Sequence, residues 1–446
     1  MLQSVELGKK SLNDYEAVVG SDVLDAIRAA AAPLKGARVL HINATAYGGG
    51  VAEILQTLVP LMKDVGLDAM WQVIVGEKEF FTVTKSFHNA LQGHSIELTD
   101  SDREVFLRDN ELNAKLLEGD YDFIVVHDPQ PAALLHYHGR QGGKYWIWRC
   151  HIDTSTPYIP VRDFLKPYLL EYDAAIYTMH DYVGSGMTFR DLFIIPPSID
   201  PLAEKNRQMT TEDARLIVGR YGVDLKRPIM VQVSRFDPWK DPLGVIDAYR
   251  KVKAQIPEVQ LVLAGSMATD DPEGILYYAR TLRRAGEDFD IHVLSNLDGV
   301  HNREVNAFQT LADVVIQKST REGFGLVVAE ALWKGQPVVG GKVGGIPLQI
   351  IDGETGFLVS DASGCANACL FLLQNRDLAR AMGAKAKEHV RKNFLTTRNL
   401  LDYLRMFASL AGRDTLRGET GPSGTERSEA ERTQTGRSQT GRSQTG

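Results

Sequence analysis

The 446-residue sequence predicts an α/β protein of two doubly wound domains, each a parallel sheet with helices on both faces. Three observations carry that expectation. Apolar β-like runs alternate with helix-like segments, the alternation occurs twice over, and the length suits two ordinary domains better than one very large one. Sheets of this kind bind ligands beyond the carboxyl ends of their strands, so two of them joined end to end should face each other across an interdomain cleft.

The elements follow in chain order. In the first domain the strand-like runs are RVLHINA (38–44), MWQVIVG (70–76), FIVVHD (123–128), YWIWRCHI (145–152) and AAIYTM (174–179). The alternation then breaks at Pro196-Pro197, where IIPPSIDPLAEKN turns polar; this places the boundary near residue 200, giving a first domain over 1–200. The second domain, over 201–395, holds PIMVQV (228–233), VQLVLAG (259–265), IHVL (291–294), DVVIQ (313–317) and PVVGG (337–341). Helix-like segments at 376–393 and 397–410 close the fold, and 396–412 is read as a separate final helix. From 413 to 446 the chain has almost no large apolar residues and ends in a QTGRS repeat, so it is expected to stay a solvated, disordered tail.

Composition excludes several classes. The formal net charge of −7, with acids and bases mixed along the chain, argues against a nucleic-acid binder. No apolar run reaches membrane-spanning length and the N-terminus lacks a signal-peptide core, so no membrane association and a cytoplasmic location are expected. Three cysteines are too few for a disulfide framework. Cys365 and Cys369 lie one helical turn apart without a histidine or second pair to complete a metal site, so no metal centre is expected. Cys150 beside His151 is read as a small apolar residue ending a strand rather than a nucleophile.

The densest motif is REGFGLVVAEAL, Arg321 to Leu332. It follows the strand-like ADVVIQ, so glycine-flanked backbone from Gly323 through Phe324, Gly325, Leu326 and Val327 opens a helix whose free N–H groups can face an anion. Glu322 sits in the turn and Glu330 about two helical turns later, an arrangement that brackets an extended ligand but cannot share a proton as a tight dyad. In SRFDPWKD, Arg235 and Lys240 also lie just past a strand end, where a bidentate guanidinium and a movable ammonium suit a diphosphate. The bland alternative for both motifs is a loop of solvated charges.

In the first domain Gly48, Gly49 and Gly50 precede an amphipathic helix and let the backbone close on a ligand. Their spacing is neither the GxGxxG of a dinucleotide fold nor a P-loop, which argues against a dehydrogenase or an NTPase. Asp128 and Gln130 follow one strand, His151 and Asp153 end another, and all four belong at the cleft rim. His127, His136 and His138 are read as structural.

These residues carry a resemblance. The acid pair Glu322 and Glu330 with Arg235 and Lys240 upstream resembles the retaining nucleotide-sugar glycosyltransferases of family 4, which have the GT-B architecture of two Rossmann-like domains. HINATAYGGGVAEIL, VHDPQPA, WIWRCHID, PPSIDP, VSRFDPWKD and GVHNREVNAF together resemble the trehalose glycosyltransferring synthases, from about Leu12 to Ala411. The resemblance implies transfer of glucose with retention from an NDP-glucose (ADP-, UDP- or GDP-glucose) to glucose, giving α,α-trehalose. It assigns Arg235, Lys240, Glu322 and His151 to catalysis. Gly48, Gly49, Gly50, the 323–327 backbone and Glu330 are assigned to the donor, and Asp128, Gln130 and Asp153 to the acceptor. It also implies a final helix that crosses back onto the first domain and no required cofactor, with Mg2+ stimulation and a homodimer left open. Rival readings are a retaining trehalose phosphorylase, a family 4 enzyme acting on a sugar phosphate or a glucan, and a nucleotide-sugar-binding sensor without turnover.

Overall fold

In the computed structural model, which describes residues 1–140, 142–266 and 272–418, two sheets organise the chain. The first contains β1 (Gln3–Ser4), β2 (Arg38–Asn43), β3 (Asp68–Val73), β4 (Tyr121–His127), β5 (Gly143–Arg149), β6 (Ala174–Tyr177) and β7 (Leu192–Ile194), in the order β1-β3-β2-β4-β5-β6-β7. All neighbours are parallel except the short β1, which pairs antiparallel with β3. The second contains β8 (Ile229–Val233), β9 (Gln260–Gly265), β10 (Ile291–Ser295), β11 (Val314–Gln317), β12 (Val338–Gly341) and β13 (Gly356–Val359), all parallel in the order β10-β9-β8-β11-β12-β13. The order reverses beside β2 in one sheet and beside β8 in the other, and ligand crevices form at such switch points.

The strands are near-continuous apolar runs because both faces of each sheet are covered. On one face of the first sheet, Leu40, Ile42, Ile124, Val126, Trp146 and Trp148 enter a core with Phe80, Phe87 and Phe106. The opposite face meets the helix Thr396–Gly418: Phe407 stacks on Phe123 with centroids 4.4 Å apart, and Tyr403 lies 5.9 Å from His41. Met230, Leu261, Leu263, Val314, Ile316 and Val339 anchor the second core, against which the helices Pro242–Lys253 and Ala362–Gln374 lie.

By backbone contacts Met1–Ala408 forms one unit and Ser409–Gly446 another, whose described part is helical. Within the first unit the chain passes between the sheets twice, side by side. Ile199 N donates to Phe394 O at 2.9 Å, and Thr396 N donates to Ile199 O at 3.0 Å.

Two features differ from the sequence reading. Strands β1, β7 and β13 join the sheets although two to four residues give too short a period to register. The final helix runs to Gly418 rather than stopping at 410–412, since Leu, Ala and Arg are helix formers that need no burial. The remainder of the polar tail, 419–446, lies outside the described residues. Cys365 and Cys369 are buried free thiols within one helix.

Candidate active site

Every singled-out motif sits past the carboxyl end of a strand: Gly48–Gly50 after β2, Asp128 after β4, His151 after β5, Arg235 after β8, and Glu322 after β11. The two sets meet across the cleft. A Cβ on Gly323 would lie 3.0 Å from His151 O, and one on Gly50 would lie 3.2 Å from Leu326 Cδ1. Tyr182 Oη donates to Gly323 O at 2.5 Å and lies 3.2 Å from Glu322 O, while His94 and Trp239 meet edge to face at 5.2 Å.

On the second-domain side, Lys240 Nζ lies 2.5 Å from Glu322 Oε2, and the same oxygen accepts from Ser319 Oγ at 3.1 Å. The pair is largely withdrawn from water, with Lys240 16% and Glu322 9% exposed. Lys240 is placed by a short 3-10 turn, Pro238–Lys240, whose preceding Asp237 accepts from the amides of Trp239 and Lys240. Arg235 is different: its side chain is 63% exposed, and Asp237 at 3.7 Å is its ion-pair neighbour. Gly325 is left-handed at φ +80°, and the helix Leu326–Trp333 starts there with no side chain capping its first turn. The sites of Gly48 and Gly49 have nothing within 4 Å of a would-be Cβ, and the helix Gly50–Asp64 also begins without a side-chain cap. Both helices therefore begin with first-turn amides that no side chain caps.

Glu330 is the fifth residue of its helix, one turn from the start rather than two, because helical geometry begins only at Leu326. Only 1% exposed, it forms an ion pair with Lys205 Nζ at 2.6 Å, and that ammonium also lies 2.6 Å from Glu53 Oε2. Burial and the Glu330 charge raise the Glu53 pKa, while Lys205 opposes them. For Lys205, the two carboxylates overcome burial and raise its pKa. Beside them Lys334 is driven down to about 7 by burial, with Glu330 opposing and Lys205 reinforcing the fall.

In the first domain, three imidazoles form a hydrogen-bonded row. His41 Nδ1 lies 2.9 Å from His127 Nε2, and His127 Nδ1 lies 2.9 Å from His151 Nε2. Burial lowers the pKa of all three, and the Arg149 guanidinium adds to the effect at His127 and His151. The row is therefore neutral near pH 7. Asp128 turns its carboxylate toward His151, accepting from His151 N at 2.8 Å, with its own backbone at φ +62°. Burial raises its pKa to about 6 against the pull of that N–H and of Arg149. Asp153 Oδ1 closes a turn on Ser155 N at 2.9 Å, and Gln130 O accepts from Asn110 Nδ2 at 3.1 Å. Cys150 is a buried free thiol whose pKa is pushed up by burial.

Sequence reasoning left out His41, Glu53, Tyr182 and Lys205, and read His127 as structural in isolation. Nothing local marks them: Lys205 lies in a polar link, and the histidines meet only through the strand order β2-β4-β5. Among the described residues no group of three or more His, Cys, Asp or Glu could hold a metal ion, and no helix is long and apolar enough to cross a membrane.

Comparison with known proteins bears on this geometry. Residues 41–184 match the family model described as trehalose synthase, N-terminal domain, and residues 214–389 match glycosyl transferases group 1. A trehalose synthase from Rubrobacter xylanophilus is 55% identical over 416 residues, covering 92% of this chain and 100% of that protein. One from Thermococcus litoralis is 51% identical over 402 residues, covering 90% and 97%. A trehalose phosphorylase from Pleurotus pulmonarius is 26% identical over 445 residues, covering 88% of this chain and 60% of its own length. Among solved structures, an α,α-trehalose 6-phosphate synthase from Burkholderia multivorans superimposes with a TM-score of 0.67 at 15% identity, covering 87% of this chain and 99% of that one. That likeness shows the shared two-domain GT-B fold. With identity above half along nearly the whole of a curated relative, this chain belongs to the trehalose synthase family of glycosyltransferases.

Proposed function

We propose that the protein transfers glucose from an NDP-glucose to the anomeric hydroxyl of a second glucose, with retention, giving α,α-trehalose and NDP. The observation that carries this reading is the Lys240–Glu322 pair and the uncapped start of the helix Leu326–Trp333 opposite His151, with Arg235 just past the neighbouring strand β8. Positive charge and oriented amides then surround the place where a leaving diphosphate gains charge, the main need when a glycosyl–phosphate bond breaks. The C1–O bond breaks with its electron pair going to the phosphate oxygen. The acceptor hydroxyl attacks C1 on the face the leaving group vacates, and its proton passes to that oxygen. No side chain is assigned as nucleophile: Glu322 is engaged with Lys240 and Ser319, and Cys150 is buried. Glu322 holds hydroxyls of the transferred sugar, Glu330 the ribose, and Asp128, Gln130 and Asp153 line the acceptor side.

Incubation with ADP-, UDP- or GDP-glucose plus glucose, set beside trehalose plus inorganic phosphate, tests the reading through product identification by NMR. Phosphorolysis without NDP-dependent synthesis would replace it with the phosphorylase. Arg235→Ala is the sharpest variant, because so exposed a cation costs little to remove if it is merely solvated. In the assigned role its loss lowers kcat by roughly a hundred- to a thousandfold, and Arg235→Lys recovers little of it for want of the bidentate fork. Activity within a fewfold of wild type would move the diphosphate elsewhere. Glu330→Gln should mainly raise the donor KM and Glu322→Gln mainly lower kcat; equal loss of NDP affinity in both would merge the two roles.

A further inference from the structure

We propose that His41 and His127 are positioning residues which lock His151 in its Nδ1–H tautomer, so that a hydrogen-bond donor is presented to the ligand in the cleft. The argument is one of proton parity along the row of three rings. Each neutral imidazole carries one N–H, so fixing the proton on any ring fixes it on the other two. The closed end decides the direction. His41 Nε2 is buried without a hydrogen-bond partner among the described residues. An orphaned buried N–H is rarer and more costly than an orphaned acceptor, so Nε2 carries the lone pair and Nδ1 the proton. His41 Nδ1–H then donates to His127 Nε2 across 2.9 Å, and His127 Nδ1–H donates to His151 Nε2 across 2.9 Å. His151 is left with its proton on Nδ1.

Parity holds only while no ring takes a second proton, and burial disfavours that charge at all three. Orientation is held as well. The His127 and His151 rings lie nearly coplanar, with centroids 5.2 Å apart and 15° between planes, and Asp128 fixes the backbone of His151 through its amide. On the activity proposed above, the presented N–H meets an oxygen of the transferred sugar, and His151 acts as a neutral donor rather than as an imidazolium acid.

The test uses the full chain labelled with 15N-histidine, with two-bond 1H–15N correlation at pH 7 to read each ring's tautomer without substrate. The expected result is Nδ1–H at His41, His127 and His151. In His127→Asp an acceptor-only carboxylate stands where the Nδ1–H donor stood, so His151 takes a proton on Nε2, and kcat falls about three- to tenfold, the worth of one hydrogen bond. His127→Asn places an amide nitrogen there instead, keeps the tautomer of His151 and restores kcat relative to the aspartate variant. An Nε2–H or doubly protonated His151 in the wild type overturns the proposal, as does a His151 without a proton on Nε2 in the aspartate variant. Should His127→Asp fail to fold, the wild-type spectrum and the asparagine variant still decide it. Because the tautomers are read in the free protein, absence of trehalose synthesis would sink the assigned reaction and leave this result standing.

Discussion

At the scale of the residue, Asp128 shows how a site side chain is shaped by what lies behind it. Its left-handed backbone suits only Gly, Asn or Asp without strain, and its buried carboxyl accepts from the His151 amide. Burial raises its pKa from the ordinary 3.8 to about 6. A raised folded-state value means the fold favours the protonated acid, so its contribution is present below about pH 4 and lost as pH rises through about 6. Asp128→Asn keeps both the backbone and the acceptor oxygen and carries no charge. Its Tm should match wild type near pH 4 and equal or exceed it at pH 7. Asp128→Ala forfeits the hydrogen bond and strains the backbone, and should lose about 2 kcal/mol in denaturant unfolding. An asparagine variant clearly less stable than wild type at pH 7 would show that the carboxylate's charge is needed by a partner such as Arg149.

At the scale of the element, the glycine-rich loop after β12 and the helix Thr396–Gly418 set the site's frame. A Cβ on Gly344 would lie 1.7 Å from Glu322 O in a backbone at φ +55°, so Gly344→Ala must push the Glu322 turn away. Both the unfolding free energy and kcat should fall, the former by about 2–3 kcal/mol; a variant with wild-type kcat would show that turn to be tolerant. Phe407 is fully buried on Phe123, and Phe407→Ala should cost about 3–5 kcal/mol in unfolding free energy. The sequence made the long strands and the helix starts legible because apolar runs and glycine turns are local signals. Strand β13, four residues after a turn, carries no such signal, and the order β2-β4-β5 that lines up His41, His127 and His151 is a property of pairing. Spacing alone could locate His151 at a strand end, but not the two rings behind it.

For the molecule as a whole, long-range polar contacts hold together the region where the chain passes between the sheets. Asp200, next to the crossing strands, accepts from Lys10 Nζ at 2.7 Å, Tyr15 Oη at 3.0 Å and Thr57 Oγ1 at 3.0 Å. Lys205, just beyond it, joins Glu53 of the first domain to Glu330 of the second. The pairing across 125 to 152 residues of sequence is invisible to local pattern, since Glu53 and Lys205 read alone as ordinary surface charges and Glu330 reads only as a ligand contact. Lys205→Met tests the bridge. It leaves Glu330 buried without its cation and Glu53 facing it, and removing one partner of a buried pair costs about 3–5 kcal/mol. Half of that bridge is softer, because Glu53 is 46% exposed and water can take over there; the loss should therefore sit at the low end, about 3 kcal/mol. The pH dependence carries the distinguishing sign. With Lys205 gone, Glu53 keeps the burial and the Glu330 charge that raise its pKa and loses the cation that opposed them, so the variant's deficit should be largest at pH 8 and shrink as pH falls toward 5. Wild type, with the ammonium in place, should show a smaller change over the same window. Thermal unfolding of both proteins from pH 5 to 8 measures the difference, and a deficit independent of pH would mean that Lys205 holds the domains by the packing of its stem rather than by its charge.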